Sequence, residues 1–142
     1  MKIMLLGQIK NNLLAVISLF VALSALGYNT WRNEQTELNR NIRTAGFEML
    51  LHIGELQRIT YLAHYDKDVV AGNPRKGWTE VLVLQDLGEL MPESQQLRSE
   101  SLFKVWSNHW QGLGEDDQSV AAIDNAINDL RKDTLNILRQ LE

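Results

Sequence analysis

The chain has no cysteine. This excludes disulfides, thiolate metal sites, thiol catalysis and lipid attachment through an N-terminal cysteine. Proline occurs twice and glycine nine times in 142 residues. Both are scarce inside the periodic stretches, so helix is the natural reading. An excess of positive charge is also missing, with 14 Lys and Arg against 18 Asp and Glu. Only Lys2 and Lys10 precede the long apolar run, so the remainder carries 12 basic residues against 18 acidic ones. A domain of that sign has no electrostatic reason to bind nucleic acid. It also lacks the basic clusters that would hold it flat on anionic lipid. Glycine-rich phosphate loops and nucleophile elbows are absent.

What is present begins with Leu13–Gly27, reading LLAVISLFVALSALG, with no charge and only Ser18 and Ser24 polar. Tyr28 and Trp31 follow, where an interfacial aromatic belt would sit. A helix from Leu13 to Trp31 covers about 28 Å, close to a hydrocarbon core of about 30 Å. Every backbone group in such a helix is satisfied internally, so lipid can surround it. The sequence therefore predicts a short tail at 1–12, a transmembrane helix at 13–31 and a helical domain at 32–142. Lys2 and Lys10 before Leu13, with Ala25-Leu26-Gly27 as a small-x-small site, leave a cleaved signal peptide as one rival reading; a buried helix of a soluble protein is the other. The positive-inside count is nearly even. Glu34 and Glu37 dilute the far side, which favours a cytoplasmic N-terminus and a periplasmic domain at an inner membrane.

No stop signal separates Tyr28 from Asp66. Leu38, Ile42, Ala45, Met49, His52, Leu56, Ile59 and Ala63 step by three and four, a heptad seam that predicts one helix continuing to about Tyr65. Gly72-Asn73-Pro74 marks a turn. A second helix is expected over about Lys76–Leu90, with Trp78, Val81, Leu82, Leu84, Leu87 and Met91 on a wide face. Pro92 suits the first turn of a third helix, roughly Glu93–Gln111, bearing Leu97, Leu102, Val105, Trp106, His109, Trp110 and Leu113. Glu115, Asp116 and Asp117 suit the positive end of a fourth. Its seam is Val120, Ile123, Ile127, Leu130, Thr134, Ile137 and Leu141. Short loops make neighbours antiparallel. The expected fold is all-α: an N-terminal transmembrane helix continuing into an up-down four-helix bundle.

Three stretches, Asn29-Thr30-Trp31-Arg32-Asn33-Glu34, Gly54-Glu55-Leu56-Gln57 and His64-Tyr65-Asp66, resemble small single-span inner-membrane proteins of Gram-negative bacteria. That resemblance implies the membrane topology and brings no activity with it. The outline is also similar to helical periplasmic sensor domains of bacterial receptors, a likeness of shape that does not license function.

Glu48, His52 and Glu55 share a helix face at i, i+4 and i+7. Di-iron bundles use Glu-x-x-His on two helices, and this chain has no such motif. A buried His52 bonded to a carboxylate is therefore expected, with no metal, no cofactor and no catalytic residues. In an up-down bundle the membrane-distal end would gather Tyr61, His64, Tyr65, Arg75, Trp78, Trp106, His109 and Trp110. Aromatic residues beside cations make ligand pockets and interface hot spots; the same residues would equally serve as an aromatic plug. The seams suit either intramolecular packing or a homodimer. Phe47, Leu50, Leu51 and Ile53 widen the first helix's apolar face, as intramolecular packing would require. The functional expectation is a membrane-anchored accessory or scaffolding subunit, not an enzyme, with the lipid bilayer and another envelope protein as partners. A small-molecule sensor using the distal aromatic cluster is the alternative.

Overall fold

The structure is a computed structural model that describes the backbone of residues 2–141 and the side chains of residues 12–141. Lys2 and Lys10, the basic flank of the apolar run, fall outside the described side chains. Four α-helices make up the described chain: α1 (Lys2–His64), α2 (Pro74–Gly88), α3 (Glu93–His109) and α4 (Asp117–Gln140), with a 3-10 turn at Trp110–Gly112. It divides into two compact units, Met1–Asn39 and Arg40–Glu142.

The first unit is helix throughout its described length. From Asn12 to Asn39 every side chain is exposed, including Phe20, Val21, Leu23 and Trp31. α1 is long and apolar enough to cross a membrane, with a mean hydropathy of 1.8 over its most apolar 18 residues and none of that window buried. An all-apolar helix with no packed face has no source of tertiary stability in water, where burial of one face usually supplies it.

In the second unit the apolar residues sort by face. α1 buries Ile42, Ala45, Met49, Ile53, Leu56, Ile59 and Ala63. α4 buries Val120, Ile123, Ile127, Leu130, Thr134 and Ile137, the row that its spacing predicts. These two rows join Val81, Leu84, Leu102, Trp106 and Leu113 in one core. Two members of the expected α1 seam are misplaced. Ile53, not His52, occupies the core position, and Leu38 is exposed because it precedes the packed unit. Phe47 and Leu51, expected to widen the packed face, point to solvent. Leu82 and Leu97 are exposed as well. α3 instead buries Gln95 and Ser99 beside Leu102 and Trp106. Gln95 Nε2 donates to Thr134 Oγ1 and to Met49 Sδ, which ties three helices at one level. Thr134 Oγ1 in turn donates to Leu130 O.

Local chemistry sets the helix ends. Pro74 is the first residue of α2, where its missing N–H is no loss, and Asn73 caps that helix by accepting from Arg75 N. Pro92 precedes α3 at its N-cap instead of lying in its first turn. Asp116 caps α4, accepting from Gln118 N and Ser119 N. Gly77 lies so close to the Trp106 ring that no Cβ fits there. The missing side chain lets α2 and α3 approach around the indole.

Candidate functional site

The α1–α2 connection is short and heavily braced. Lys67 adopts a left-handed backbone, with φ of 52°, which costs a non-glycine residue roughly 1–2 kcal/mol. Its Nζ donates to Gly114 O at 2.6 Å, joining this loop to the α3–α4 loop. Asp68 accepts from Val70 N at 2.9 Å and Ala71 N at 2.8 Å, while Gly72 N donates to Asp68 O at 2.9 Å. Those two backbone donors hold the Asp68 carboxyl below the usual carboxylate range. Gly72 is pressed against the backbone of Leu62 and Ala63, leaving no room for a Cβ.

Such bracing holds two β-branched residues in water: Val69 is 82% exposed and Val70 71%. Beneath them lies a cavity of about 380 Å³, lined in part by Ala63, Val69, Gly72 and Pro74, with Lys67 and Glu115 among its polar walls. The loop thus displays two apolar side chains close to a concavity. Spacing alone did not single out Val69 and Val70, because two valines in a polar turn leave no periodic trace.

The eight residues expected at the distal end form separate groups. At the end of α1, Tyr61 and His64 each meet Tyr65, the first residue after the helix, edge-on. His64 Nε2 lies 3.1 Å from Asp117 Oδ1, and a second concavity is lined by His64, Tyr65, Asp117 and Asp124 among others. Trp78 of α2 meets Phe103 of α3 and Trp110 of the 3-10 turn edge-on. Both of these tryptophans are half-buried and packed against the core. Trp106 is fully buried and its Nε1 has no hydrogen-bond partner. It is therefore a core residue and contributes no binding surface, because a ring wedged against Gly77 cannot also face solvent. Arg75 is exposed and donates its backbone N–H to the α2 cap.

His109, Ser119 and Asp116 invite comparison with a hydrolase triad, and their geometry opposes it. Ser119 Oγ donates to Asp116 Oδ2 at 2.5 Å and stands 3.1 Å from His109 Nδ1. Asp116 thus bonds the serine instead of orienting the imidazole, which is not the order of a triad. Asp116 is occupied as a helix cap, and the Ser119 hydroxyl with the α4 N–H groups pulls its carboxyl below the usual range.

His52 finds its carboxylate on another helix. Its Nδ1 lies 2.7 Å from Glu80 Oε2 on α2, and the imidazole is half-buried. Glu55, expected beside it, instead accepts two bonds from Arg58 at 2.6 and 2.9 Å. Among the described residues, no group of three or more His, Asp or Glu is placed to hold a metal ion. Deeper in, Gln57 Nε2 donates to Asp124 Oδ1 at 2.7 Å, and Arg131 Nη2 reaches Gln57 Oε1 at 3.3 Å. Burial pushes the Asp124 carboxyl upward against the opposing pull of that amide.

No protein-family model, no curated protein and no solved structure matches this chain.

Proposed function

We propose that this chain is a membrane-anchored helical accessory or scaffolding subunit, without catalysis of its own, that binds another envelope protein. In this reading Leu13–Gly27 lies in hydrocarbon, Tyr28 and Trp31 sit at the interface, the N-terminus is cytoplasmic and Arg40–Glu142 stands in the periplasm of a Gram-negative inner membrane. The second unit is then an up-down four-helix bundle. Two contacts support that topology: His64 near the start of α4 at Asp117, and Arg43 donating to Leu141 O at its other end. Those portions of α1 and α4 run in opposite directions.

The observation that carries the reading is the braced turn holding Val69 and Val70 in solvent. Full burial of a valine against a partner contributes about 1.5–3 kcal/mol, and a preformed loop loses little entropy on docking. The chain's acidity points to a partner with neutral or basic surface around an apolar pocket. A photo-crosslinking residue at position 69 or 70 of the full-length chain in intact membranes tests this. Adducts with a distinct envelope protein are expected there and not at Ser101 or Lys132. Recovery of this chain alone, from those sites and from detergent-solubilised membranes, would defeat the proposal.

The cavity under the same turn supports a second reading, a sensor that binds a small molecule. Val69→Trp would narrow that cavity while keeping an apolar tip. Loss of protein adducts on this substitution favours the turn as a protein anchor. A ligand-induced rise in melting temperature that the substitution abolishes favours the sensor.

A further inference from the structure

The outward face of α1 in the second unit, with the turn residue that follows it, carries a row that the core does not use: Thr44, Phe47, Leu51, Gly54, Arg58, Tyr61 and, just past the helix end, Tyr65. It steps by three and four over three heptads, which is the spacing of a coiled-coil seam. Every member is exposed. Phe47 is 56% exposed, Leu51 68% and Tyr65 65%. Gly54 sits at the centre of the row. A Cβ added there would meet nothing within 4 Å. Gly77 and Gly72, by contrast, are required by neighbours within the chain. Glycine is among the poorest residues for a helix interior, and nothing within this chain explains its use at 54. Close approach of another backbone does.

We propose that this row is the contact between two parallel copies of the chain, with Gly54 packed against Gly54 of the second copy. Charge identifies the occupant. Numbered as a heptad, with Leu51 and Arg58 at a and Phe47, Gly54 and Tyr61 at d, Arg43 falls at g and Glu48 at e. In a parallel, in-register pair each g residue faces the e residue five positions on in the other helix. Arg43, whose Nη2 also donates to Leu141 O at 2.8 Å within its own chain, therefore stands across from Glu48 of the other copy, so opposite charges meet twice. Arg58, the only charge inside the row between Phe47 and Tyr65, is already neutralised by its two bonds to Glu55.

The anchoring reading sets the direction, and the inference rests on it. Two copies held in one bilayer by the same N-terminal helix stand parallel and at equal height. The apolar segment has its own row of small residues, Ala15, Ser18, Ala22 and Ala25, of the kind that lets like helices approach in lipid. The heptad seam first noted on α1 takes no part, because Ile42, Met49 and Leu56 are consumed by the core.

The chain has no native cysteine, so single thiols report without background. Phe47→Cys, Leu51→Cys and Gly54→Cys in the full-length chain, oxidised in native membranes, are expected to give disulfide-linked dimers. Ser101→Cys and Asn136→Cys, exposed on α3 and α4, are expected to give at least five-fold less. Equal yields at all five positions, no dimer at the row, or linkage of the row to a foreign polypeptide would each overturn the proposal. Adding Gly54→Leu to Leu51→Cys separates backbone approach from loose collision. The open site accepts the side chain without unfolding, and the dimer yield should fall several-fold; an unchanged yield would overturn the close packing. Alkaline washing separates the two levels of failure. A chain that leaves the membrane fails the anchoring reading and this one together, whereas a retained chain whose row thiols stay unlinked fails this one alone.

Discussion

Residues 12–39 and 40–64 belong to one helix, α1, with the same backbone hydrogen-bonding pattern, yet their surfaces differ throughout. In the first stretch apolar residues occur on every side and all of them are exposed. In the second they alternate between a buried row and an outward row, with polar residues between. Helix formation is therefore not what distinguishes them. The first stretch has apolar surface that only an apolar solvent or another helix can cover. The second has one face covered by α2, α3 and α4, and depends on that packing for its stability.

The comparison breaks most visibly at Trp106. Trp106→Ala should destabilise the packed unit by about 3–5 kcal/mol, read as a large fall in melting temperature by circular dichroism of the full chain in detergent. Retention in alkali-washed membranes should not change. The reciprocal change is Phe20→Arg, which places a charge at the centre of the apolar run at a cost of about 2.5–3.5 kcal/mol. Membrane retention should fall while the melting temperature of the helical unit stays where it was. If either substitution moved both readouts together, the two stretches would not be independent.

Glycines sharpen the contrast within the packed unit. Gly77→Ala forces a methyl group into the Trp106 ring, and overpacking of this kind costs about 1–3 kcal/mol. Gly54→Ala, in open space within one copy, should stabilise the monomeric unit by up to about 1 kcal/mol through helix propensity. Chemical denaturation of the two variants side by side checks the opposite signs.

The smallest effect is in the pH response. Glu55, Asp68 and Asp116 are held below their usual ranges by Arg58, by the Ala71 and Val70 amides and by the Ser119 hydroxyl, respectively. Their contribution is complete above the unfolded values of about 4 and is lost as pH falls through the folded ones. Asp124 runs the other way, because burial raises it. Its ionised form opposes folding at neutral pH, and that opposition disappears on acidification below an unfolded value of about 3.9. Asp116→Asn, which keeps a good cap, should flatten the acid limb of a melting-temperature titration. Asp124→Asn should steepen it, by removing the one carboxylate that offsets the others.

Legibility followed periodicity. The α4 row was readable residue by residue, since Val120 to Ile137 is apolar at one spacing with Thr134 as the single polar member. The end of α1 at His64 was also readable, one residue before the expected Tyr65. The eight residues expected to gather at the distal end fall into separate groups that spacing alone does not distinguish. Topology brings His64 and Tyr65 beside the start of α4 and packs Trp78 of α2 against Phe103 of α3 and Trp110 of the 3-10 turn. Trp106 faces inward because Gly77 makes room for it. Gln95 and Ser99 were invisible as core residues, because their burial depends on Thr134, Met49 and the α3 backbone as partners.

The amino-acid sequence by itself determined the helical class, the one segment whose uninterrupted apolar surface suits hydrocarbon, and the absence of thiol chemistry. Each follows from composition and local spacing, which act over a few residues and need no knowledge of neighbours. Tertiary structure alone decided that Ile53 rather than His52 turns inward, that His52 meets Glu80, that Val69 and Val70 are held outward by Asp68 and Lys67, and that Phe47, Leu51 and Gly54 are left without a partner. Each of these depends on which helix lies alongside, and burial and hydrogen bonding are properties of that neighbourhood rather than of the residue.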